Sequence, residues 1–175
     1  MIKELGSFEV TSGKVRVCDP SYSKYEKDIL VLENVLPGKY YANIEVIDTG
    51  VFGERVACLN IRHEYYDTTA DNLFAEGAVG VDSGQAGFFD EDFYPNGDDT
   101  GNFDDTKTFY GKACTITLSE KQAGVIDNFG VVSRTGYGDG VYDVYVNENV
   151  SGQIVTAAID YGVNEEDGGN EHEED

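Results

Sequence analysis

Apolar and polar residues alternate with a period of two over several stretches of this chain. From Tyr41 to Asp48, Ala42, Ile44 and Val46 fall on one side and Tyr41, Asn43 and Glu45 on the other; around Asp143 to Val146, Tyr142, Val144 and Val146 share a side. Such alternation turns one face of a strand toward a core. Each run follows a Gly-x-Tyr and precedes a second apolar run, Arg55 to Ile61 or Ile154 to Ile159. Gly50 to Gly53 and Ser151-Gly152 separate the members of each pair, the turn chemistry of a β-hairpin. Further strands are predicted at Phe8 to Val10, Val15 to Cys18, Ile29 to Val35, Ala78 to Val81, Gly87 to Phe89, Val125-Ile126 and Gly130 to Ser133. Two segments read as helix. Thr69 to Glu76 has an Asp/Thr-rich start and a stop at Gly77; Thr106 to Leu118 gathers Phe109, Tyr110, Ala113, Cys114 and Leu118 on one face, against the strand preference of Thr115-Ile116-Thr117.

The pattern occurs twice. Val10-Thr11-Ser12-Gly13-Lys14 and Val81-Asp82-Ser83-Gly84-Gln85 lie 71 residues apart, and in each copy an Asp follows seven residues after the Ser (Asp19, Asp90), with an aromatic three further on (Tyr22, Phe93). Matched features in the same order point to an internal duplication. The expected fold is mostly β: a duplicated two-sheet antiparallel sandwich or barrel-like fold with one or two short helices. Residues 1–162 are read as a single domain whose repeats cover about 8–63 and 79–162, followed by an acidic disordered tail over 163–175.

Charge changes the picture of partners. The net charge is −22, and two runs without a Lys or Arg carry much of it: seven acids between Asp90 and Asp105, and seven from Glu165 to Asp175. Such runs stay solvated unless a partner supplies counter-charge, which favours a basic protein partner and disfavours nucleic acid and anionic membranes as direct ligands. No stretch approaches the roughly 20 apolar residues needed to span a membrane. The N-terminus lacks a signal-peptide pattern, and Cys18, Cys58 and Cys114 read as buried free thiols, so a cytoplasmic location is expected.

Catalytic chemistry finds little to work with. Two histidines, His63 and His172, and no Cys-x-x-Cys leave zinc short of ligands, and no metal or other cofactor is expected. Asn96-Gly97-Asp98-Asp99-Thr100-Gly101 imitates the start of a calcium loop but meets Lys107 at the twelfth position, where a bidentate Glu belongs. His63, at a strand end, reads as a surface residue rather than half of a catalytic dyad. Gly136 to Gly140 precedes a strand, whereas a phosphate loop must open a helix. Should a ligand site exist, the matched loops would bring Asp19, Asp82, Ser83, Gln85, Asp90, Tyr137 and Asp139 together as its candidates. The competing reading makes Asp19, before Pro20, and Asp139, before Gly140, turn formers bonded to their own backbone.

Three segments together carry a family resemblance: Arg16 to Pro20, Gly80 to Asp90 (GVDSGQAGFFD) and Val132 to Tyr142 (VSRTGYGDGVY). They resemble the signature blocks of a bacterial and phage domain of unknown function, family 4241, over roughly residues 8 to 162. Many members of that family carry a Trp where Tyr137 lies, and this chain has no Trp. The resemblance implies a domain boundary and leaves function open. The leading functional expectation is a non-enzymatic interaction protein of bacterial or phage origin, with an acidic inhibitor of a basic partner as its sharper form. The alternatives are a small-ligand-binding protein or hydrolase-type enzyme using carboxylates of the two motif loops, and a virion or other structural component.

Overall fold

The computed structural model describes residues 1–27, 29–66 and 73–168. Eleven strands and one helix follow one another: β1 (Ile2–Val10), β2 (Val15–Cys18), β3 (Leu30–Leu32), β4 (Gly38–Asp48), β5 (Glu54–His63), β6 (Phe74–Val81), β7 (Gln85–Asp90), α1 (Phe109–Thr117), β8 (Ala123–Ile126), β9 (Gly130–Arg134), β10 (Gly140–Glu148) and β11 (Ile154–Asp160). They form two antiparallel sheets, one of six strands ordered β1-β4-β5-β11-β10-β6 and one of five ordered β3-β2-β7-β9-β8. The sheets do not close into a barrel. The larger sheet reads the same from both edges when β1 is matched with β6, β4 with β10 and β5 with β11. In the smaller sheet Val17 pairs directly with Phe88, 71 residues on.

The period-two pattern decides which side chains fill the space between the sheets. Tyr40, Ala42, Ile44 and Val46 of β4 are buried and meet Val15, Val17, Phe88 and Val131 from the other sheet in one apolar cluster. The strands β2 and β7 are buried along their whole length, because a second cluster covers their other face. There Cys18, Phe89 and Val132 pack against Phe109 and Ala113 of α1, with Tyr94 and Ile126. The layout is therefore two sheets with a partial helical third layer. Each fully buried Phe stabilises it by roughly 1.5–3 kcal/mol.

Helix α1 forms where the sequence pattern places one, three residues shorter at its start. Thr108 caps it, accepting from the Gly111 N–H through Oγ1 at 3.0 Å. The β-branched end is nonetheless helical, and its hydroxyls turn back onto the helix: Thr115 Oγ1 donates to the Gly111 carbonyl and Thr117 Oγ1 to that of Cys114.

Three expectations need correction. The first predicted helix does not form over Phe74 to Glu76, which open strand β6 and pair with β10 (Phe74 with Val146, Ala75 with Tyr145); residues 69–72 lie outside the described residues. His63 is buried, not a surface residue: its Nε2 lies 2.9 Å from the Pro37 carbonyl, its Nδ1 accepts from the Tyr65 N–H, and its ring stands edge-on to Tyr40. A Cβ at Gly38 would come within 2.4 Å of that Nε2, so the glycine is what admits the ring. The chain also does not leave the fold at residue 163. Val163 is buried, and Gly168 lies so close to Thr49 that a Cβ there would sit 1.9 Å from its carbonyl oxygen. Residues 169–175 lie outside the described residues.

Candidate functional site

The two Ser turns join β1 to β2 and β6 to β7, and each is closed by a carboxylate from the other motif. Asp19, fully buried, accepts four hydrogen bonds: from Ser21 N–H and Ser83 Oγ at Oδ1, and from the Asp82 and Ser83 N–H groups at Oδ2, all within 2.7–2.8 Å. Asp90, equally buried, accepts from Ser12 Oγ and Asp92 N–H at Oδ1, and from Thr11 N–H and Oγ1 at Oδ2. Burial opposes ionisation of Asp90, but the bonds from Ser12, Thr11 and Asp92 outweigh it and hold its carboxyl below the ordinary value. The turn-forming reading of Asp19 is therefore corrected in one respect: apart from the Ser21 contact it bonds the turn of the opposite motif, as Asp90 does apart from its Asp92 contact. A carboxylate has about four lone-pair sites, so neither has capacity left for a ligand.

The other candidates separate into two depressions on either side of the Ser83 turn. Ser83, Gln85 and Tyr137 line a cleft of 370 Å³ beside α1, together with Arg55, Arg134 and Tyr110. Asp82 and Asp139 line a broader groove with Tyr22 and Lys27, and the Tyr22 hydroxyl donates to Asp82 Oδ2. Asp19 lies behind the turn between them. Asp90 does not join the group, since it holds the opposite turn at the far end of β7.

Within the cleft, Gln85 is 5% exposed, and its Nε2 donates to Cys114 Sγ at 3.3 Å while its Oε1 is buried without a partner. Burial and the neighbouring Cys114 raise the pKa of Tyr110, so its hydroxyl stays a neutral donor at physiological pH. Arg55 donates from Nε to the Phe52 carbonyl and from Nη1 to that of Gly136, and its guanidinium lies 5.3 Å over the Tyr137 ring. The Tyr137 hydroxyl is tied to Asp167, which also accepts from the Asn164 N–H.

The sequence blocks that build these turns coincide with a family model: residues 8–159 match that of the protein of unknown function (DUF4241). The chain belongs to the DUF4241 family. Comparison with curated proteins and with solved structures gave no match. In this DUF4241 protein the three signature blocks supply the Asp19 acceptor, the whole Ser83 turn with β7 and Asp90, and the Arg134–Tyr137 wall of the cleft.

Some site residues of the DUF4241 domain were not singled out from sequence. Arg55, Tyr110, Cys114 and Arg134 all line the cleft. Arg16 is buried at the side of β2 facing α1, doubly bonded to Glu91 at 3.0 Å and stacked 4.8 Å over Tyr94. Glu91, counted with the solvated acids, is thus an internal partner, reached also by Lys24. Scarcity was the available signal: the chain has only four arginines, at 16, 55, 62 and 134. In the calcium-like loop Asp99 Oδ1 instead accepts from the Gly101 N–H at 2.8 Å. Among the described residues no group of three or more His, Cys, Asp or Glu converges, and no helix is long and apolar enough to cross a membrane.

Proposed function

We propose that this protein is a non-catalytic interaction protein that docks a basic protein partner on the loop from 92 to 105. The observation that carries the reading is the mixture on that loop. Asp92, Asp98, Asp99, Asp104 and Asp105 are exposed, and with them Phe93 (57%) and Phe103 (71%). Exposed rings among like charges give a basic surface both complementary charge and apolar anchors. The two remaining acids of the run, Asp90 and Glu91, are held by the fold. Saturation of the Asp19 and Asp90 carboxylates supports the absence of acid–base catalysis by that pair. The palindromic strand order and the reciprocal turn contacts support reading the chain as two tandem copies of one unit.

The test is capture from the native host by the full chain and by a variant with the five exposed aspartates changed to Asn. The wild type is expected to retain a basic protein at low salt and release it as salt rises, and the variant to retain about tenfold less. A capture profile identical for the two proteins would refute the docking surface. Phe103→Ala, tested on the same partner, separates the contribution of the ring from that of the charge.

A further inference from the structure

The cleft beside α1 has the wrong sign of charge for this molecule. The chain has 34 acidic residues, and none of those among the described residues lines it. Two of the four arginines do, and neither forms an ion pair among the described residues. Arg134 is exposed at the rim, whereas Arg55 is fixed by two backbone carbonyls and the Tyr137 ring. A guanidinium so oriented keeps donors in reserve for a planar or tetrahedral anion. The neutral Tyr110 and the Ser83 hydroxyl add polar groups to the wall.

The second observation is independent of charge. Gln85 is 95% buried by its 5% exposure, lines the same cleft, and leaves its Oε1 unsatisfied. Buried polar atoms almost always have partners; Gln85 Oε1 has none and is closed off from the cleft as the side chain lies, so a turn of that side chain would let a ligand donor satisfy it. A volume of 370 Å³ suits a metabolite rather than a polymer.

We propose that this cleft binds a small hydroxylated organic anion, with its phosphate or carboxylate at Arg55 and Arg134 and its hydroxyl donating to Gln85 Oε1. The site is separate from the acidic loop, so its test stands apart from that of the partner.

Isothermal titration of the full chain with glycerol 3-phosphate and with malate reads it directly. Propyl phosphate and succinate, which lack the hydroxyl, serve as matched controls. At least one hydroxylated anion is expected to bind saturably with a Kd of about 1 mM or tighter. Arg134→Gln should weaken it about tenfold, and Gln85→Leu should abolish its advantage over the matched control. No saturable binding of either anion up to about 10 mM would overturn the proposal. So would affinity unchanged in Arg134→Gln and in Arg55→Gln, each checked by circular dichroism for an intact fold. If phosphate binds and carboxylate does not, or the reverse, the anionic head is thereby assigned.

Discussion

Asp19 and Asp90 each gather four donors in a place water does not reach, which makes them acceptors the turns cannot replace. Asp19→Asn would turn an amide N–H₂ toward backbone N–H groups, and a loss of roughly 2–4 kcal/mol is expected from urea unfolding. Asp90 adds a pH dependence whose sign follows from its lowered folded pKa. Its contribution is fully present above the unfolded value of about 3.9 and is lost as pH falls through the lower folded value. The urea midpoint of the wild type should therefore fall below about pH 4, and Asp90→Asn should lose part of that fall. The sequence showed both aspartates through their spacing from a serine. It could not show what they hold, because three of the four donors of each lie more than sixty residues away.

At the scale of elements, local preference and tertiary context compete, and α1 shows the outcome. Alanine is a better helix former than glycine by about 1 kcal/mol, so propensity alone would make Gly111→Ala stabilising. A Cβ at Gly111, however, would lie 1.9 Å from the Asp105 carbonyl oxygen. Gly111→Ala is expected to lower the melting temperature instead, and a rise would show that the loop before α1 yields freely. The same competition explains strand β6. Its opening Phe74-Ala75-Glu76 follows an Asp/Thr-rich segment and precedes Gly77, which looks like a helix with its stop. Pairing with β10 decides otherwise, since an available edge outweighs a weak local preference. The hairpins β4–β5 and β10–β11 needed no such help, because alternation and turn glycines agreed.

The molecule as a whole carries 34 acids against 12 bases, and only four ion pairs are formed among the described residues. Screening should then relieve more repulsion than attraction. Raising salt from about 20 to about 500 mM is expected to raise the melting temperature by roughly 3 °C or more. An unchanged or lower value would mean the charges are too dispersed to oppose folding. The two-sheet architecture was legible in the strand pattern, but the cationic cleft was not: Arg55 and Arg134 belong to different halves and meet only after folding. The reciprocal grip of Asp19 and Asp90 has one more consequence. Each motif is unfinished by itself, with bare N–H groups that only the other can quiet, and β2–β7 and β5–β11 run as seams across the same divide. Opening the β2–β7 seam unlatches both turns together, so the two halves are expected to melt as one.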